Sequence, residues 1–453
     1  MRVMRWCVPI VVVAMVGVSA CSRSSSKSSS NNSSNTTASG SAASGDFGDL
    51  KGVCGSGNAK GATDKGVTDS SIQVGTMSDP GAQVQPGLNQ ELFDSATAFV
   101  AWCNAAGGIL GRQLKLDKWD AALTEVSARM IQACQVDFSL VGNGEALDSS
   151  GVDQRVKCGL PEVSAYDVSA AAGTAPLSVQ AIPTPDNQSR LGGAYRMLKV
   201  TDQAATQHYG LLNSQFQAIK DSGNRNRAAA KQLGYTETYY DELPLSVDNY
   251  RPYAQNLQTK GVQVFTYQGN PDQVAALLKS LADLGYHPKY AILDANHYDP
   301  KLIADAGPAV SGTKVLVNSY QWPFELANQN PATKQYIDLL AKYANGAKPK
   351  GLGMNAWSAW LLWAKAAKAC GSNLTRKCMF DHANGVENWT GGGLHAPNKT
   401  GNATTPGSEC FVLMEATPNG FVVNKDVLKP NKDGVYNCDP ANVFDLKGFP
   451  QGS

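Results

Sequence analysis

From residue 71 onward, short apolar runs alternate with longer stretches whose apolar residues recur every three or four positions. "SIQVGTM" (71–77) reads as a strand, and Leu88, Leu92, Phe99, Val100 and Cys103 then form one helical stripe over about 89–104. "RQLKLDKW" (112–119) is a strand candidate, and 124–134 a helix whose start suits Thr124 as cap. "VDFSLVG" (136–142) and "LPEVSA" (160–165) read as further strands separated by a short helix. After a bridge the alternation resumes. Strands are expected at 209–214, 236–243, 262–267, 290–294 and 314–320, with helices at about 220–233, 249–259 and 271–284. Two more helices (331–344 and 356–369) and a hairpin-like pair, "ECFVLMEA" and "GFVVNK", close the pattern.

Strands separated by crossover helices imply parallel sheets covered on both faces. The two series predict two α/β lobes, and the tail belongs to neither alone, so the chain is expected to cross between lobes more than once. "CNAAGGILGRQLKL" (103–116) shows how compactly one joint is made. Gly107 and Gly108 suit a helix stop in the left-handed region that glycine adopts cheaply, and Gly111-Arg112 turn the chain into the next strand.

Composition changes the picture mainly at the start of the chain. Arg2 and Arg5 precede a short apolar run, Cys7 to Ala20, that is shorter than the roughly 20 residues a bilayer span needs. Residues 1–20 therefore read as a secretory signal. They end in Val18-Ser19-Ala20-Cys21, which resembles the lipobox of bacterial lipoproteins and implies a lipid on Cys21. Residues 21–48 are rich in Ser, Asn, Thr, Ala and Gly, too polar to bury a core, and are expected to be a disordered tether spanning about 30 Å. A net charge of +1 with interspersed signs leaves no footprint for nucleic acid. Of ten cysteines, eight follow Cys21, an even number that favours disulfides in an exported chain. With the five His scattered, no metal or cofactor is implied.

"GVTDSSIQVGTMSDPGAQ" (66–83), "CNAAGGILGRQLKL", "VDFSLVG…LPEVSA", "LGYTETYYDELPLSVDNYRPYAQNLQTKGVQVFTYQGNP" and "GVENWTGGGLHAP" together resemble the type I periplasmic-binding fold. The likeness is to the branched-chain amino-acid-type (leucine-binding protein-like) solute-binding lipoproteins of ABC importers. It implies two lobes, each a mostly parallel sheet flanked by helices, joined by a multi-crossing hinge. Lobe 1 is expected over 49–188 and 319–408, and lobe 2 over 189–318 and 409–453. The resemblance also implies a non-enzymatic monomer, held at the outer face of the cell membrane, that binds a small molecule and passes it to an ABC permease. A sensor lipoprotein of the same fold is the alternative.

Ligands of open parallel sheets bind outside the carboxyl ends of strands. The candidate contacts are accordingly Asp79, Gln83, Asn143, Glu145, Tyr166 and Asp167 in lobe 1, Gln215, Phe216, Asn270, Asn296 and Tyr298 in lobe 2, and Tyr320, Trp322 and Trp357 after the crossing. The family's amino-acid binders hold the ligand carboxylate with Ser or Thr and backbone amides. Here Asn143-Gly144-Glu145-Ala146 lacks the Ser, and Tyr166-Asp167-Val168 replaces an Ala-Ala-Thr-like stretch. Carboxylates at Glu145 or Asp167 would repel an anion, which predicts a cationic, sugar-like or other polar ligand rather than a leucine-like one.

Two enzyme-like matches compete. Ser311-Gly-Thr-Lys314, Tyr343-Ala-Asn345 and Lys399-Thr-Gly401 mimic the motifs of penicillin-binding hydrolases, but Ser311 precedes a β-rich run instead of opening a helix. Gly351-Leu-Gly353-Met-Asn-Ala356 imitates a dinucleotide fingerprint without a preceding strand. Strand order finally suggests the disulfides: Cys54–Cys103 and Cys134–Cys158 at the base of lobe 1, Cys370–Cys378 across a helix–helix turn, and Cys410–Cys438 pinning the hairpin.

Overall fold

The computed structural model describes residues 44–447. The signal, Cys21 and the tether as far as residue 43 lie outside the described residues. The first series of apolar runs forms β1 (Ser71–Ser78), α1 (Gln90–Ala105), β2 (Gln113–Asp120), α2 (Val126–Val136), β3 (Ser139–Val141), α3 (Val152–Lys157), β4 (Glu162–Ser164), α4 (Ala170–Gly173) and β5 (Ser178–Gln180). Its five strands make one parallel sheet in the order β2-β1-β3-β4-β5. The central strands are buried at every position except the half-buried Gln73 of β1, as a sheet covered on both faces requires.

The chain then crosses through α5 (Gly192–Thr201) into β6 (Tyr209–Ser214), α6 (Gln217–Gln232), β7 (Glu237–Leu243), α7 (Arg251–Thr259), β8 (Val264–Tyr267), α8 (Pro271–Asp283), β9 (Tyr290–Leu293), α9 (Pro300–Ala306) and β10 (Lys314–Ser319). It returns with α10 (Pro331–Tyr343), α11 (Gly351–Ala369) and α12 (Arg376–Ala383), which pack on α1 and its sheet. It crosses a third time into β11 (Cys410–Thr417), β12 (Gly420–Val423), α13 (Lys425–Leu428) and β13 (Asn437–Cys438). The second sheet runs β12-β11-β10-β9-β8-β6-β7, parallel from β10 to β7, with β11 antiparallel to β10, β12 and β13.

The joint after α1 is built as its glycines suggest. Gly107 and Gly108 have φ of +110° and +76°. A Cβ on Gly108 would lie 2.1 Å from the Arg112 carbonyl oxygen, and one on Gly107 2.4 Å from the Ser56 nitrogen. Backbone approach and dihedral both demand glycine there.

Other local readings change. Thr124 does not cap α2; Glu125 holds that place without a side-chain bond. α11 begins at Gly351, five residues before the expected start, because its first turns are buried on all sides and carry no polar stripe to mark them. α5 and β5 lie in what the pattern left as a bridge. Chain expected to be tether up to Gly48 is packed: Phe47 is fully buried against Trp102 and Trp357. Disulfides join Cys54–Cys103, Cys134–Cys158, Cys370–Cys378 and Cys410–Cys438. Among the described residues no helix is long and apolar enough to cross a membrane.

Candidate functional site

The carboxyl ends of the two sheets face a shared cavity of about 130 Å³. Lobe 1 supplies Leu88 and Asn89 from the loop after β1, Ala146 from the loop after β3, Tyr166, Asp167 and Val168 beyond β4, and Leu352 from the first turn of α11. Lobe 2 supplies Ile219, Ser222 and Arg225 of α6, Leu245 after β7, Gln268 to Asn270 and Gln273 after β8, and Asp294, Asn296 and His297 after β9. Arg190, from the crossing, completes the wall. Two ties draw the lobes together around it. Gln85 Nε2 donates to both Asp272 carboxylate oxygens at 2.9 Å. Lys350 stands 2.9 Å from Asp299 of lobe 2 and 3.4 Å from Glu91 of lobe 1.

The electrostatics of the lobe 1 wall differ from what residue types alone imply. Glu145 is buried and outside the cavity wall. Burial, reinforced by Glu162, Asp79, Asp148 and Asp167, pushes its carboxyl well above the usual range. Asp167 does reach the wall, where burial, helped by Glu162 and Asp148, pushes it up to about 8. Of the two acids expected to repel an anion, Glu145 is out of reach and Asp167 has its carboxyl raised to about 8. The other charged side chains of the lining are Arg190, Arg225 and Asp294. On the opposite wall burial holds the His297 imidazole below its ordinary pKa. His297 Nε2 and Asn296 Oδ1 are both left without hydrogen-bond partners.

Of the expected contacts, Tyr166, Asp167, Asn270 and Asn296 line this cavity, and Tyr320 lines a small crevice beside it that shares Arg190 and Asp294. The others stand elsewhere. Asp79 is a structural tie, accepting from the backbone of Leu123 and Ala146. Asn143 is buried and donates to Glu162. Tyr298 is sealed in lobe 2, its hydroxyl donating to Glu325, and Trp322 donates to the Leu326 carbonyl. Trp357 is fully buried because its face of α11 meets Phe99 and Trp102 of α1. Gln83 and Gln215 are exposed, as is Phe216.

Sequence reasoning missed Asn89, Arg190, Ser222 and Arg225. For α6 a signal existed: Ile219, Ser222 and Arg225 follow the end of β6 at three-residue spacing and so share one face. Arg190 carried none, since nothing marked an element around it. The enzyme-like motifs dissolve. Ser311 ends a short turn and Lys314 opens β10, so no helical turn brings them together. His395 does gain a partner that spacing did not reveal, Ser358 Oγ at 2.8 Å from its Nε2. Trp389 Nε1 also donates to that hydroxyl, and all three side chains are sealed in the core away from the cavity.

A family model described as periplasmic binding protein matches residues 71–420. Among solved structures, a fatty acid ABC transporter substrate-binding protein from Thermomonospora curvata is 15% identical with a TM-score of 0.70, covering 86% of this chain and 98% of its own. A leucine binding protein from Thermotoga maritima is 13% identical with a TM-score of 0.64, covering 78% and 97%. A solute binding protein of an ABC transporter from Rhodopseudomonas palustris BisB5, in complex with 3,4-dihydroxy benzoic acid, is 13% identical with a TM-score of 0.62, covering 84% and 99%. At these identities the likeness is one of fold. A search of curated proteins gave no match.

Proposed function

Because this chain belongs to the periplasmic binding protein family, we propose that its solute-binding role consists of capturing one small polar molecule between the lobes and delivering it to the permease of an ABC importer. The role is binding rather than catalysis, on the outer side of the cytoplasmic membrane. The observation that carries the reading is the cavity itself, walled by strand ends of both sheets and the chain that joins them. A ligand touching both walls gains contacts only when the lobes are together, so binding selects the closed form. Gln85–Asp272 and the Lys350 pairs add to that form from the rim.

The size of the cavity limits the guest. About 130 Å³ is close to the roughly 150 Å³ of an engineered cavity that holds benzene. Two of the similar structures are a fatty acid ABC transporter substrate-binding protein and a solute binding protein in complex with 3,4-dihydroxy benzoic acid; both ligand types combine an apolar body with a polar end. This cavity has that character too, with Leu88, Ile219, Leu245 and Leu352 beside the arginines. The motif ending at Cys21 supports attachment by lipid, with the Ser- and Asn-rich stretch as leash.

Thermal-shift screening of a small-metabolite library tests the binding role. At least one compound is expected to raise the melting temperature and to shrink the radius of gyration in solution scattering. A molecule that neither stabilises nor contracts with any of them would refute it. Mass spectrometry of the membrane fraction tests the anchor, with a diacylated Cys21 as the expected first residue.

A further inference from the structure

We propose that the cavity takes a small organic carboxylate whose acid group is gripped by Arg190 and Arg225, a deepening that rests on the solute-binding reading above. Arg225 is 5% exposed, and its nearest acid, Asp186, is a loose 3.8 Å away. Its other contact is a long donation to the Val168 carbonyl at 3.4 Å. Arg190 donates to the Thr184 hydroxyl and, among the described residues, joins no ion pair. The two arginines line the same cavity, close enough that the charge of Arg190 adds to the burial that lowers the Arg225 pKa.

Like charges held together in a half-dry cleft are costly unless an anion joins them. Guanidiniums pair with carboxylates through two parallel hydrogen bonds, so a carboxylate is the chemical match. Of the acids near them, Asp167 is bound by Gln180 Nε2 at 2.7 Å with its carboxyl raised to about 8, and Asp186 stands only loosely against Arg225. Asp294, which also shares the small crevice with Arg190, and Asn296 Oδ1 and His297 Nε2 beside it offer acceptors. They suit a hydroxyl or amine on the far end of the same ligand. With apolar walls between and a volume near that of benzene, the guest is a compact acid of about six to ten heavy atoms.

The test uses the full chain with benzoate, 4-hydroxybenzoate and hexanoate, their matched amides, and benzylamine, read by thermal shift and calorimetry. Acids are expected to stabilise the protein while amides and the amine do not. Arg190→Gln should weaken acid binding roughly ten- to hundredfold, and Arg190→Lys should keep part of it. The proposal is overturned if amides or the amine bind as well as the acids, if no acid binds, or if Arg190→Gln binds acids as the parent does. Should Arg190→Gln not fold, the parent's acid–amide contrast and the Arg190→Lys affinity decide alone. An amide or amine that stabilises and compacts the protein leaves the solute-binding role intact. Only silence across the metabolite library removes that role.

Discussion

The two lobes share a topology but are built from different chemistry. Lobe 1 packs Trp102, Trp357 and Trp360 around Phe99 and Phe47, with Trp363 beside them, and carries three of the four disulfides. It hides a group of acids, Asp79, Glu145, Asp148, Asp167 and, on β4, Glu162, which pairs with the buried Arg155 at 3.0 Å. Lobe 2 uses tyrosines. Tyr195, Tyr209 and Tyr235 pack edge to face, and the Tyr195 hydroxyl bonds those of Tyr209 and Thr266. Lobe 2 also supplies most of the polar cavity wall. The contrast teaches a division of labour: lobe 1 is a stapled platform, and lobe 2 supplies most of the polar groups around the cavity.

The sharpest way to break that contrast is Trp360→Ala. It empties the centre of lobe 1 and should cost about 3–5 kcal/mol, measured by denaturant unfolding; a loss below about 1 kcal/mol would contradict the platform. Replacing Cys54 and Cys103 together by Ser opens a loop closed across 49 residues. About 2–4 kcal/mol should go, with faster amide exchange in lobe 1 than in lobe 2.

The buried acids give a pH dependence of fixed sign. Burial pushes Asp137 and Asp167 up to about 8 and Asp148 to about 6. The folded state therefore holds protons that the unfolded chain releases near pH 4. This stabilisation is complete below that pH and is lost as pH rises through about 6 to 8. The melting temperature should thus fall from pH 5 to pH 8.5, and Asp167→Asn, which keeps the shape beside Glu162, Asp148 and Arg155, should flatten the slope. A melting temperature that climbs over this range would contradict the assignment.

Lys350→Met leaves the buried carboxylates of Glu91 and Asp299 without their shared cation and should cost about 1–3 kcal/mol. Its signature is a larger radius of gyration without ligand, as the tie between Asp299 and Glu91 is lost. In lobe 2, Tyr209→Phe removes one hydroxyl from a satisfied network and should cost only about 1 kcal/mol.

Much of the frame was legible from residues 71 to 425. The apolar runs mark nearly every long strand and helix, and Gly107-Gly108 mark a joint that only glycine fits. The site was legible only as loops. Tyr166 and Asn296 reach the cavity, whereas Tyr298, two residues beyond Asn296, turns into the core. Asp167 was visible as an acid, but its proton was not.

The amino-acid order alone determined the alternation, the crossings and the family likeness, because periodicity and glycine geometry act within a few residues. Tertiary structure decided which rim side chains face the ligand and which charges survive there. Both depend on burial and on neighbours from distant segments: Arg190 and Arg225 line one cavity although 35 positions apart in the chain, and burial, helped by Glu162 and Asp148, raises the Asp167 carboxyl.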